Sequence, residues 1–456
     1  MPIWLLIISS LIGFGIKTVA QVKKKFGILG GGIAGLSLAH FLQDTSVAII
    51  EKADKVGGLC RSYEINGLAY DVGPHIMFSK NPRVLEFMTT ITPTHQLQRS
   101  NQIFLNGKFI KYPFENFLAM LADPEKIEYC LNTFLHNPYK DMPAQNMLAF
   151  FLKTFGEGIT KLYLQPYNEK IWKFDPSMLD TQMVERIPKP PEAHIIESAK
   201  GKYSEGYTHQ LNFSYPVKGG YQSMVDAVTA KDKAKGVEIK TDETIKEISK
   251  QGEGWRVETA KNTYEFDRLF NCMPIHELLP LLKGVPEEVS AAVQQMYYNS
   301  IYIVIVNVKK DTIGEHFALM VPQSDVIFHR ISKLDFLGDN YHLPDSTSFQ
   351  IEVTFRAGDK YDKLSRDELI SRCIEDLVRI GFISGRDQVN FTDLHREQYA
   401  YVIYDLNHRQ HTDTVLDYFR GLGIESSGRW AEFEYMNSDK VIEHSMNLAD
   451  KINAGN

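Results

Sequence analysis

The sequence predicts an α/β protein in which a Rossmann-like dinucleotide-binding domain is interrupted by an inserted α+β domain. Three observations carry this. Phe26 to Glu51 reads as an apolar strand, consecutive glycines, a small-residue helix and a second strand, Val47-Ala48-Ile49-Ile50, ending in an acid. Asp267-Arg268-Leu269-Phe270-Asn271-Cys272-Met273-Pro274 has the character of a strand returning to that domain from far along the chain. Helical periodicity from Glu115 to about Phe155, and apolar or alternating runs at Ile301 to Val308 and Ser348 to Phe355, supply the body of a second domain. At 456 residues the chain is ample for two well-filled cores.

Gly30, Gly32 and Gly35 occupy the G-x-G-x-x-G positions. A tight turn requires the first, close approach of a pyrophosphate the second, and helix-on-strand packing the third. Glu51, with Lys52 beside it, follows Gly30 at the spacing of a ribose hydroxyl acceptor. Val56-Gly57-Gly58-Leu59-Cys60-Arg61-Ser62 then adds a second glycine pair with an arginine close behind, which resembles the GG motif of two-dinucleotide-binding flavoproteins. On that ground FAD is expected rather than NAD. Backbone at Gly57, Gly58 and Leu59 can lie against the cofactor, while Arg61 offers pyrophosphate the forked geometry of a guanidinium.

Composition narrows the partners. Hydrophobic content of 43% with 23% charged residues is ordinary for a globular protein, and a formal charge of -7 leaves no basic footprint for nucleic acid. Cys60, Cys130, Cys272 and Cys373 are scattered without a C-x-x-C pair, so neither a disulfide framework nor a zinc site is expected, and a reducing cytoplasm suits them. Pro2 to Ile16 is apolar and uncharged, followed by Lys17 and Lys23-Lys24-Lys25. It falls short of the about 20 apolar residues of a membrane span, and it lacks the preceding positive charge of an export signal. Residues 2–22 therefore have two readings: an anchor that the following lysines hold on the cytoplasmic face, or, for a cytoplasmic protein, a disordered extension or a start codon read too early.

Further along, Asn66-Gly67 and Asn106-Gly107 each divide two short alternating runs, the preferred two-residue hairpin turn. The first hairpin delivers Val72-Gly73-Pro74-His75 to a loop beyond the glycine motifs, where His75 either meets the flavin ring or is a buried, hydrogen-bonded histidine. Tyr163-Leu164-Gln165-Pro166-Tyr167-Asn168-Glu169-Lys170-Ile171-Trp172 laces aromatics with polar groups, and Ile187-Pro188-Lys189-Pro190-Pro191 reads as a connector. Phe213 to Gly220 leads into a helix, with strands at Val237 to Ile239 and Trp255 to Val257. Arg330 sits at a strand end with no local acid, either a solvated arginine or a phosphate clamp. Asn437 or Ser438 is expected to cap a C-terminal helix whose free amides would favour negative charge on a reduced flavin.

Together these motifs resemble the flavin-dependent UDP-galactopyranose mutases, within the wider amine-oxidase and protoporphyrinogen-oxidase-like superfamily, over most of the chain from Phe26. The discriminating pieces are Gly73-Pro74-His75, Tyr167-Asn168-Glu169-Lys170-Ile171-Trp172, Tyr215-Pro216 with Gly219-Gly220, Phe328-His329-Arg330, Tyr401, and Gly428-Arg429 with Tyr435, Asn437 and Asp439. The resemblance implies that His75 lies near the flavin and that Tyr167, Asn168 and Trp172 line a nucleotide-sugar site. It further implies that Arg330 and Tyr401 hold the diphosphate, with Arg186 a further substrate contact. Arg429, Tyr435 and Asn437 would contact FAD, Tyr435 touching substrate as well, and His75, Arg330 and Tyr401 would be the catalytic set.

The implied chemistry interconverts UDP-hexopyranose and UDP-hexofuranose through a sugar adduct at N5 of reduced FAD, with NADPH or NADH as reductant and no net redox change. Two departures stand beside the matches. Arg186-Ile187-Pro188-Lys189-Pro190 replaces an arginine-proline-arginine pattern, and Val402 and Ala431 stand where proline and glycine are usual. The rival reading is an FAD oxidoreductase of the amine-oxidase or protoporphyrinogen-oxidase kind; a non-catalytic flavin-containing assembly protein ranks third. The expected division is an extension over 1–25, nucleotide-domain pieces at 26–90, 213–285 and 396–456, and substrate-domain pieces at 91–212 and 286–395.

Overall fold

The computed structural model describes residues 21–184, 187, 189–206, 211–310 and 313–455. Strand β1 (Gln21–Leu29), helix α1 (Ile33–Phe41) and strand β2 (Val47–Ile50) form the expected unit. β1 is flanked in parallel by β2, with Phe26 opposite Val47, and by the returning strand Thr263–Asn271, with Gly27 opposite Leu269. Glu238–Lys240 extends this sheet beyond β2, while Gly254–Thr259 and Ile245–Gln251 extend the other side antiparallel. Ile424–Ser426 joins Thr263–Asn271 in parallel near its end, bringing the C-terminal segment to the same sheet. Helix α1 packs on one face with Gln222–Lys235 and Ser438–Asn453. β2 is apolar without alternation because its side chains are covered on both faces.

β1 starts earlier than expected. Lys23-Lys24-Lys25 are strand residues: Lys24 pairs with Glu238 at 2.7 Å and Lys25 with Asp44 at 2.9 Å, so strand pairing and ion pairs absorb the charge run. The anchor reading of residues 2–22 otherwise lies outside the described residues. Among the described residues no helix is long and apolar enough to cross a membrane.

The second sheet has seven strands in the order Val389–Val402, Tyr298–Val308, Thr347–Phe355, Arg330–Lys333, Ala318–Met320, Asn101–Leu105, Lys108–Lys111. Val389–Val402 runs unbroken through position 396, and Asn212–Pro216 pairs with Thr94–Gln98 rather than with the nucleotide sheet. Both Asn-Gly turns form as read: Asn66 and Gly67 (φ 52° and 80°) and Asn106 and Gly107 (φ 51° and 77°) take the paired positive φ that the turn needs. The helical stretch resolves into two helices, Pro124–Leu135 and Met147–Ile159, each opened by an Asx cap, Asp123 and Asn146. Pro138 and Pro143 in the segment between them disfavour a continuous helix. The C-terminal helix corrects one expectation. Asn437 stands at the N-cap position of Ser438–Asn453 without a side-chain cap bond, and the Ser438 hydroxyl instead lies 2.7 Å from the Tyr221 hydroxyl.

Candidate active site

The three motif glycines differ in what excludes a side chain. At Gly30 (φ 103°) an added Cβ would fall 2.9 Å from the Cys272 carbonyl oxygen, where the returning strand ends. At Gly35 it would stand 2.1 Å from the Gly30 carbonyl, so α1 could not approach β1. At Gly32 the nearest atom is the Gly58 Cα at 3.9 Å. The protein itself leaves room there, as it would for a ligand lying on the helix N-terminus. The Gly57 amide donates to the Gly31 carbonyl at 2.8 Å, which locks the two glycine pairs side by side.

Glu51 follows β2 and accepts from the Gly31 amide at 2.7 Å and the Ala53 amide at 2.8 Å, so its carboxylate is held at the lip of the cradle. Lys52 donates to both oxygens of Glu277 at 2.7 Å, and Arg61 donates to Asp54 at 3.0 Å. Both cations therefore already carry a partner.

One cavity of about 1050 Å³ begins at this cradle, where Gly30, Gly32, Glu51, Lys52, Gly58, Leu59 and Arg61 line it. It continues past His75, Arg429, Tyr435 and Asn437 and ends among Asn168, Trp172, Arg330 and Tyr401. The expected site residues thus share one continuous space, with three exceptions. Gly35 is inside α1. Tyr167 is set back from the wall, its ring 5.5 Å from Tyr163 and 6.4 Å from His329. Arg186 lies outside the described residues. Among the described residues no cluster of His, Cys, Asp and Glu is arranged to hold a metal. Cys60 is on the wall, but burial pushes its thiol up to about 12, leaving it unreactive.

Midway, His75 rests against Tyr221 with ring centroids 5.1 Å apart, and its Nδ1 is buried without a hydrogen-bond partner, 4.0 Å from Asp71. Burial, then the Arg429 charge, pushes its pKa down to about 4, so the imidazole is neutral at physiological pH. Asp71 accepts from Ser62 at 2.6 Å, Tyr215 at 2.8 Å and the Tyr221 amide at 3.0 Å. Burial still lifts its pKa to about 6. Arg429 donates to the Ala400 and Met436 carbonyls and lies over the Tyr435 ring at 4.2 Å, stitching the second sheet to the C-terminal segment.

At the far end the expectation of an arginine without a local acid is overturned. Strand pairing sets Arg330 opposite Glu352, and its Nε and one terminal nitrogen donate to that carboxylate at 2.6 and 2.7 Å. Glu352 is fully buried, with the Tyr401 hydroxyl at 3.4 Å and His329 Nε2 at 3.7 Å. Burial, then Glu352, holds the Tyr401 phenol well above its usual range, so it remains a donor. Trp172 donates to Asn168 at 2.8 Å, and Asn168 donates to the Leu164 carbonyl at 2.7 Å, which fixes the indole. Trp172 meets Tyr401 and Tyr435 edge-on at 5.5 and 5.7 Å, forming an aromatic corner.

Sequence reasoning missed Glu352 and Asp71. A signal for Glu352 existed, since a single acid inside the apolar run Ser348 to Phe355 is costly unless paired. Asp71 gave none, because its partners come from Ser62, Tyr215 and Tyr221, far apart in the chain.

Residues 33–421 match the family of flavin-containing amine oxidoreductases. The chain belongs to that family. It is similar to protoporphyrinogen oxidase 2 of Arabidopsis thaliana, 21% identical over 79% of this chain and 81% of that protein. It is also similar to UDP-galactopyranose mutase of Mycoplasma pneumoniae, 27% identical over 42% of this chain and 53% of that one. Among solved structures, a reduced UDP-galactopyranose mutase superposes with a TM-score of 0.85 at 21% identity, covering 95% of this chain and 94% of the other. A putative protoporphyrinogen oxidase from Exiguobacterium follows the same fold at 0.74 and 16% identity, over 95% and 99%. The protein is a flavin-dependent enzyme of the amine-oxidase type, and the glycine-floored end of the cavity fits FAD: an open floor at Gly32, a helix N-terminus, and the Glu51 carboxylate on the cavity wall at the end of β2.

Proposed function

We propose that the protein is an FAD-dependent nucleotide-sugar isomerase that interconverts a UDP-hexopyranose and its UDP-hexofuranose. The observation that carries this reading is the unbroken cavity leading from the glycine cradle to the corner of Arg330, Tyr401 and Trp172. When bound and reduced, by NADPH or NADH, the flavin supplies the nucleophile for the anomeric carbon.

The chain's own residues hold the substrate around that centre. Arg330, oriented by Glu352, presents its remaining amino group to the diphosphate and balances the charge that gathers there as the glycosidic bond breaks. Tyr401 donates its hydroxyl to the same group. Trp172 and Tyr435 flank the sugar and exclude water, and His75, kept neutral, adds a hydrogen-bonding edge without adding charge. Residues of the first sheet form the nucleotide domain and those of the second the substrate domain.

One observation favours a second reading. The charge of Arg330 is already matched by buried Glu352, so the corner is less cationic than a dedicated diphosphate site. An oxidoreductase of the protoporphyrinogen-oxidase or amine-oxidase kind would tolerate that balance. Dithionite-reduced protein is expected to convert a UDP-hexopyranose to the furanose form while the oxidised protein does not. Oxygen uptake with an amine or porphyrinogen, without sugar conversion, assigns the protein to the second reading.

A further inference from the structure

Lys170 is buried, 9% exposed, and lines no part of the cavity. Its Nζ donates to the carbonyls of Val321 at 2.9 Å and Gln323 at 2.7 Å, in the chain leaving strand Ala318–Met320. Among the described residues it forms no ion pair, and burial pushes its pKa down to about 7. A lysine in that position costs more than a methionine would. What it adds is two directed bonds.

Those bonds hold the last turns of a longer helical run. Helix Gln165–Trp172 continues directly from the π-helical turn Thr160–Leu164, with helical φ/ψ at Leu164, and ends at Lys173 in the left-handed region (φ 51°). Its last carbonyl, on Trp172, accepts from Asn299 and from Arg356, whose guanidinium also reaches the Asn299 side chain. At roughly 100° per residue, Lys170 and Trp172 lie about 200° apart around the helix, on opposite faces. The outer face is tied by Lys170, and the inner face presents Trp172 and Asn168 to the cavity.

We propose that Lys170 is a positioning residue for the substrate end of the site, setting the tilt of this helix and so the placement of the Trp172 indole against the bound nucleotide sugar. The inference rests on the nucleotide-sugar reading for its ligand but on the helix geometry for its mechanism. Two variants separate the two: Lys170→Met, which fills the space without donors, and Lys170→Arg, which keeps charge and donors. The holoenzyme is labelled with 5-fluorotryptophan, and the Trp172 fluorine resonance is assigned by its loss in Trp172→Phe.

Lys170→Met is expected to keep its flavin, move the Trp172 resonance while leaving Trp255 in place, and raise the UDP Kd and the substrate KM about tenfold with kcat little changed. Lys170→Arg, which also covers the case in which Lys170→Met does not fold, is expected to restore most of the affinity and return the resonance towards its original position. An unmoved resonance overturns the proposal even if UDP binding weakens, and so does a moved resonance with unchanged UDP affinity. Wild-type protein that binds no UDP overturns the nucleotide-sugar reading, while a Trp172 resonance moved by Lys170→Met still leaves Lys170 as the residue that places Trp172.

Discussion

His75 and Asp71 face one another across 4.0 Å with pKa values displaced in opposite directions, to about 4 and about 6. The signs of their effects on stability are therefore opposite. His75 is harder to protonate folded than unfolded, so its contribution is lost as pH falls from about 6.5 towards 4. Asp71 is easier to protonate folded, so it gains as pH falls from about 6 towards 3.8. Replacing His75 by Gln removes only the loss. The variant should forfeit about 2 kcal/mol less than the parent between pH 7 and 4.5, read from urea unfolding at both pH values; equal losses would show that His75 is not held neutral.

The Arg330 and Glu352 pair belongs to the same scale. Arg330→Ala leaves a fully buried carboxylate without its counter-ion, at a cost of about 3 kcal/mol in stability. Loss of UDP affinity in that variant alone would thus mix two effects. Arg330→Met combined with Glu352→Met should recover stability but not UDP binding, measured by thermal unfolding and titration. Recovery of both would remove Arg330 from the substrate site.

At the scale of elements, the β1 to α1 turn separates a folding requirement from a ligand requirement. Gly35→Ala drives a Cβ to 2.1 Å from the Gly30 carbonyl and forces α1 off β1, so protein with a lowered Tm is expected. Gly32→Ala meets nothing nearer than 3.9 Å and should unfold as the parent apoprotein does, yet come out colourless. Thermal unfolding and the flavin absorbance of the purified variants test this contrast; a yellow Gly32→Ala protein would mean the cofactor does not lie over that turn. Helix Gln165–Trp172 makes the complementary point. It continues the π-helical turn Thr160–Leu164, and its last turn is tied down by bonds from Lys170, Asn299 and Arg356.

At the scale of the molecule, the cavity wall draws on both sheets: Gly30 and Glu51 from the first, Arg330, Glu352 and Tyr401 from the second, and Arg429 and Tyr435 from the C-terminal segment. A flavin bound there holds the two sheets together and stabilises the folded state by mass action. FAD at about 100 times its Kd should add about 2.7 kcal/mol to the apoprotein, a rise of about 3 °C in Tm for a chain of this length. Differential scanning calorimetry reads the shift, and its absence at saturating FAD would contradict a cofactor seated between the sheets.

The nucleotide unit, both Asn-Gly hairpins and the return of the chain at Asp267 to Pro274 were legible in the linear order, because each rests on local rules: glycine at positive φ, apolar runs, and spacing to an acid. So were a core set of residues on the cavity wall, through motifs whose parts lie close together. The partner of Arg330, the clasp around Asp71 and the set-back position of Tyr167 were not. Those were decided by the tertiary structure, since strand register brings Glu352 across from Arg330, and buried charge takes whichever counter-group the packed sheets place within reach.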